Sequence, residues 1–225
     1  MRSGAIRLLT LILMFSSIAQ ASASDCMIQI RKLFPMQAAV GREEVRRKKV
    51  AIRKFKNNKA KLDRYLKKKR VPIVIGPGGK FHLLDHHHTV MALFEEGIRK
   101  VYYESRGDLS SLSPQDFWKE VISRHWVRLV DEKGKSIRWE AIDKLTSIED
   151  IKNDPYRSLA GIVRDKGGFK KLDIPFMEFE WADFFRGRMD MPGKKISWKR
   201  AIEQGMKLAR SDAAKALPGY IEKKK

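Results

Sequence analysis

The chain has 225 residues, 43% of them hydrophobic, and a formal net charge of +21. That length fits one domain, or one domain with a helical extension, and that hydrophobic fraction excludes a globally disordered chain. A single cysteine, Cys26, excludes an internal disulfide framework, so the core must stand on packing alone.

The first segment reads as a signal peptide over residues 1–23. Arg2 and Arg7 give it a basic start, Leu8 to Phe15 an apolar run, and Ala21-Ser22-Ala23 a small-residue cleavage pattern. The run is shorter than the roughly 20 residues that span a bilayer, so the mature chain is expected to carry no transmembrane segment. The protein is therefore expected to be exported, to the periplasm or beyond. Asp25, not a small residue, precedes Cys26, which argues against a lipid attached there. Loss of residues 1–23 removes two arginines and no acid, and leaves +19. Such a charge favours nucleic acid or nucleotides, or peripheral contact with anionic envelope polymers.

Met27 to Ile30 predicts a short strand, with Pro35 marking its exit. Val45, Ile52, Phe55, Leu62 and Leu66 recur at near-helical spacing and predict one or two amphipathic helices. Lys67-Lys68-Lys69-Arg70 closes that segment, and its basic run reads first as a solvated face. Val71 to Ile75 and Lys80 to Leu84 predict a hairpin across Gly76-Pro77-Gly78-Gly79. A helix should follow, with Asp85 as its N-cap and Gly97 at its C-terminal end. Val101 to Tyr103 predicts a further strand. Ser113-Pro114 starts a helix carrying Phe117, Trp118, Val121, Ile122 and Trp126. The aromatic run Phe176, Phe179, Trp181, Phe184 and Phe185 suits a core better than a base-stacking platform. A last helix is expected from about Trp198 to Ala216.

Four of the five histidines fall between residues 82 and 88. Strand alternation places His82 and Leu84 on one face, and Phe81, Leu83 and Asp85 on the other. His86, His87 and His88 then point in different directions around a first helical turn. A helix N-terminus attracts anions, and His87 and His88 could add hydrogen bonds to a phosphate there. Imidazoles with the Asp85 carboxylate could instead hold a divalent metal ion, with His86 and His88 as ligands. A histidine could also serve as general base.

A second cluster is Asp154 to Gly161 with Arg164, Gly167 and Gly168. Arg157 and Arg164 lie two helical turns apart, on nearly one face, and arginine suits bidentate phosphate recognition. The alternative is structural pairing with Asp154 or Asp165. Glu178, Glu180 and Asp183 could supply an acid.

Several of these motifs, in this order, resemble the bacterial ParB-like nucleases of the ParB/sulfiredoxin superfamily. The resemblance runs through Pro35-Met36-Gln37, Val40-Gly41, Val74-Ile75-Gly76-Pro77, Asp85-His86-His87-His88, Phe117-Trp118 and Asp154 to Gly161. It continues through Pro175-Phe176, Glu178-Phe179 and Trp181-Ala182 to Leu217-Pro218-Gly219-Tyr220. It implies an α+β fold: a small mixed-sheet domain over residues 24–110, followed by a mainly helical C-terminal part over 111–225 packed on it. Relatives carry Asp-Gly-His-His-Arg at a strand-to-helix phosphate site. Asp85, His87 and His88 match that pattern, while His86 replaces its glycine and Thr89 its arginine. Those departures tilt the reading from a nucleotide switch towards hydrolysis or metal. The resemblance thus implies a nuclease or phosphodiesterase with Asp85, His87 and His88 catalytic, and His86, Arg157, Arg164 and Gln37 binding the substrate phosphate. The alternatives are a nucleotide-binding or phosphoryl-transfer protein of the same fold, and a non-enzymatic polyanion binder.

Overall fold

The computed structural model describes residues 26–222, so the expected signal peptide lies outside the described residues. The chain opens with short strands β1 (Met27–Gln29), β2 (Leu33–Pro35) and β3 (Ala39–Val40), then helices α1 (Arg42–Arg53) and α2 (Lys59–Lys68). The hairpin follows as β4 (Val71–Gly76) and β5 (Lys80–Leu83), then α3 (His87–Glu95) and β6 (Lys100–Asp108). The remainder is mainly helical: α4 (Pro114–Ser123), α5 (Trp139–Asp143), the two-residue β7 (Lys152–Asn153), α6 (Pro155–Asp165), α7 (Met177–Arg186) and α8 (Trp198–Ala209).

Five strands form one mixed sheet in the order β1-β6-β4-β5-β2. The β4–β5 and β1–β6 pairs are antiparallel, and β4–β6 and β2–β5 are parallel. Alternation along the hairpin sorts its side chains between two cores, as expected. Ile73 and Leu83 enter a core with Val45 and Ile52 of α1, Leu66 of α2 and Val90, Met91 and Leu93 of α3. Val74 and Leu84 enter a second core with Phe117, Trp118 and Val121 of α4. His82 points the same way, with its ring 4.6 Å from that of Phe117. The sheet is therefore covered on both faces, which suits its parallel pairs.

A third core joins α6, α7 and α8 around Leu159, Val163, Phe169 and Trp181. Phe169 and Trp181 stack at 4.0 Å between centroids. The aromatic run is thus mostly core: Phe179, Trp181, Phe184 and Phe185 are buried, and Phe176 is half-buried. The C-terminal Leu-Pro-Gly-Tyr motif closes this core. Trp181 Nε1 donates to the Pro218 carbonyl at 2.9 Å, and the Lys170 amide donates to the Gly219 carbonyl at 2.7 Å. The helical part is laced to the sheet side of the molecule, because β7 pairs with β3 and Ile148 and Ile151 enter the first core.

Three boundaries differ from expectation. The strand placed at 101–103 runs from Lys100 to Asp108, held by backbone pairing of Glu104 and Ser105 to Pro72 and Ile73. The last helix ends at Ala209, and Asp212–Ala214 forms a separate tight turn. Asp85 is not the N-cap of α3: His86 holds that position in the left-handed conformation, φ 67°. The Asp85 carboxylate accepts the His86 amide at 2.6 Å, so the aspartate shapes the turn one residue before the helix.

Candidate functional site

The first turn of α3 opens on a recess of about 460 Å³, within the usual range for a small-ligand site. Its walls bring together His86, His87, His88, Asp85, Gln37, Arg157 and Arg164, the residues expected to bind or react with a phosphate, while Glu180 and Asp183, also offered as acids, lie outside it. They also include Glu178 of α7, one of the three acids offered from the sequence, and three residues that were not candidates: Glu44 and Lys48 of α1 and Lys69 after α2.

The turn that builds the site depends on His86. A left-handed conformation costs an ordinary residue roughly 1–2 kcal/mol and costs glycine little. Sequence resemblance places a glycine of the family motif at this position, and the left-handed turn is the conformation a glycine would adopt at little cost. His86 Nδ1 is buried with no hydrogen-bond partner. Burial lowers the His86 pKa, and Lys69 and Lys48 lower it further. The Asp85 side chain is exposed at the mouth of the recess. Desolvation there works to raise its pKa, but the His86 amide and the three histidines more than offset it, and the carboxyl is held below its usual value.

His87 and His88 are buried and hold backbone. His87 Nε2 accepts the Met36 amide at 3.2 Å, sharing it with the Leu83 carbonyl. His88 Nε2 accepts the Gly41 amide at 2.9 Å. Each ring is therefore neutral, with its proton on Nδ1. Burial drives the His87 pKa down to about 4 and that of His88 well below the ordinary value, with Arg157 and Lys48 adding to the latter. These two rings tie the segment Met36–Gly41 to α3. Gln37, between those anchors, is buried and donates from Nε2 to the Ala39 carbonyl at 2.8 Å.

The two arginines part company. Arg164 is held by Asp165 and Glu178, so its charge is already met. Arg157 does not pair with Asp154 or Asp165; Asp154 is taken by Arg186 at 2.6 Å. Arg157 instead meets Glu44 Oε2 at 3.3 Å and lies over the Phe179 ring at 5.4 Å. Only 8% of Arg157 is exposed, and its Nε has no partner. The same Glu44 oxygen stands 3.6 Å from His88 Nε2. Glu44 thus lies between the histidine turn and the arginine helix but of the two bonds only to Arg157, because His88 Nε2, which accepts the Gly41 amide, has no proton to offer it. Sequence reasoning missed it, although it is one of only three acids among the fifteen cations of residues 42–70. Gly161 makes room for this carboxylate, since a Cβ there would lie 2.7 Å from Glu44 Oε2.

A metal fits these residues poorly. Among the described residues no three His, Cys, Asp or Glu side chains converge as a metal-binding group. The expected ligand His88 turns its Nε2 to the Gly41 amide. The divalent-ion expectation on His86 and His88 therefore finds no donor set. No described helix is long and apolar enough to cross a membrane.

Known proteins place the chain. It is similar to protein Atu1540 from Agrobacterium tumefaciens, whose crystal structure superposes with a TM-score of 0.79 at 38% identity. The match covers 88% of this chain and 98% of that one. No curated protein matches the chain. The profile of the family described as "Putative ParB-like nuclease" matches residues 26–187, a span that holds the sheet, the histidine turn, Glu44 and Arg157. On that span the chain belongs to the ParB-like nuclease family.

Proposed function

We propose that the recess binds the phosphate group of a nucleotide or nucleic acid between the first turn of α3 and Arg157. One observation carries this reading: Arg157, with its side chain only 10% exposed and its Nε unpartnered, lines the same recess as a helix N-terminus. The His87 and His88 amides lie in the first turn, where they have no acceptor within the helix. The helix dipole favours an anion there, and Arg157 offers a charge-assisted hydrogen bond. His87 and His88 act as positioning residues, because each spends its Nε2 on a backbone amide. Six Lys and Arg side chains line the recess against four carboxylates, which leaves an excess of positive charge for the ligand.

The test is isothermal titration with inorganic phosphate, ATP and CTP. Wild-type protein is expected to bind at least one of them, and Arg157→Ala to weaken it about 30-fold or more, the loss of a hydrogen bond to a charged group. Equal binding by wild type and Arg157→Ala would overturn the reading.

A second reading, phosphodiester hydrolysis, is favoured by the Asp85 carboxylate at the mouth and by the neutral His86 beside it. Either could take a proton from water attacking phosphorus, while Arg157 steadies the charge on the phosphate oxygens. Nucleotide release from DNA or RNA should then fall at least about 100-fold in Asp85→Asn. Residues 1–23, read as a signal peptide, would put this work outside the cytoplasm.

A further inference from the structure

We propose that the exposed face of α2 is a track for a polynucleotide strand, which delivers one of its phosphates to the recess. The inference rests on the recess being a phosphate site, and it names the ligand as a strand in place of a free nucleotide.

The charge is concentrated where such a track would lie. Residues 42–70 hold fifteen Lys and Arg against three acids, more than half of the net charge of +21 in 29 residues. On α2, Lys61, Arg64 and Lys68 fall at i, i+3 and i+7, so they share one face. All three are exposed, and none meets a carboxylate among the described residues. Lys67 differs, since it pairs with Asp63 at 3.4 Å and lies over the Tyr102 ring.

A solvated helix face does not account for this pattern. Basic residues in the last turn of a helix are favourable, which covers Lys67 and Lys68. The first turn is the opposite case. It carries no acid, and Lys59 and Lys61 sit there, where the helix dipole disfavours cations. Like charges three and four residues apart add a further small cost. An external polyanion removes both.

The row also leads somewhere. It runs towards the C-terminal end of α2, where Lys69 lines the recess close to His86, with Lys48 of α1 in the same wall. A strand lying on Lys61, Arg64 and Lys68 therefore continues past Lys69 to Arg157. Most of the large apolar side chains of α1 and α2 are spent on the core: Val45 and Ile52 are 1% exposed and Leu66 5%, which leaves Val50, at 46%, isolated among charged neighbours. A helix that enters a membrane surface needs those apolar side chains outside, so an anionic lipid surface is the poorer partner.

The experiment measures fluorescence anisotropy with labelled thymidine monophosphate and a labelled oligothymidylate of about 12 residues, a typical single-strand site size. Wild-type protein is expected to bind the oligomer about tenfold or more tighter than the monomer. The triple variant Lys61→Glu, Arg64→Glu, Lys68→Glu should lose that gain and keep monomer binding. Its log K against log salt should flatten by about 2, the release from three phosphates of a single strand. Circular dichroism of the triple variant checks that α2 still folds. Equal oligomer affinity in both proteins, equal affinity of wild type for oligomer and monomer, or equal displacement by phosphatidylglycerol vesicles would overturn the track. Monomer binding lost in Arg157→Ala, with no gain for the oligomer, removes the track and leaves the recess. A length-dependent gain lost in the triple variant, with oligomer affinity unmoved by Arg157→Ala, removes the recess reading and leaves the track.

Discussion

Between pH 7 and pH 4.5 the protein is expected to lose about 4 kcal/mol of folding stability through His82 and His87 alone. Both rings have their pKa lowered from 6.5 to about 4, in each case chiefly by burial. A histidine whose folded pKa is depressed binds fewer protons folded than unfolded. Its contribution is therefore complete above pH 6.5 and disappears as the pH falls towards the folded value. For a shift of this size the loss across that window is roughly 2 kcal/mol per ring, and His88, shifted the same way, adds to it. Set against a total stability of about 5–15 kcal/mol for an ordinary domain, the effect is large. Glu96, held down to about 2 by the Arg53 side chain first and then Lys56, acts in a separate window below about pH 4.5. Urea melts at half-unit steps of pH would show the decline. His82→Leu should remove about half of it, because that ring sits among Phe34, Phe117 and Trp118 with its Nε2 unpartnered. Stability that stays flat from pH 7 to 5 would refute the account.

The same side chains show what could be read from the sequence. Period-2 alternation across the hairpin sorted Phe81 and Leu83 from His82 and Leu84, because each face of the sheet buries its own set. The histidine turn was legible as a candidate site, since three imidazoles in a row cannot share one core, and the recess lies beside it. Its roles were not. Nothing in the side-chain pattern marks a ring that accepts a backbone amide, and His87 and His88 do this with Met36 and Gly41, 51 and 47 residues away. Asp85 is a good cap by residue type, and only the left-handed turn at His86 moves the helix start past it. A glycine at that position would have advertised the turn. The end of β6 stayed hidden because Glu104, Ser105 and Arg106 are exposed, and their strand character lives in backbone pairing. Glu44 escaped because its meaning is tertiary: it is a carboxylate on α1 that matters through Arg157, 113 residues on.

Gly41→Ala is expected to cost about 3 kcal/mol and to weaken phosphate binding together with stability. The added Cβ would lie 2.4 Å from Ser158 Oγ and 2.6 Å and 2.7 Å from the Ser158 amide nitrogen and Cα. Two of those atoms are backbone of α6, so no side-chain rotation relieves the contact. Ser158→Ala should therefore fail to rescue the variant. Gly78→Ala is the control: φ is 70° but no atom lies within 4 Å, so only the strain of roughly 1 kcal/mol remains and binding is untouched. Gly161→Ala separates the two properties. Its Cβ meets the end of a flexible side chain, Glu44 Oε2 at 2.7 Å, which can swing away. Stability should change little, but the carboxylate then leaves Arg157 and His88. The guanidinium, freed of its acid, should hold phosphate more tightly than in the wild type. Gly41 sets the approach of α1 to α6 and Gly161 sets where Glu44 rests within it. Ser158 and Gly161 of the α6 motif therefore bear on the proposed phosphate site through helix packing.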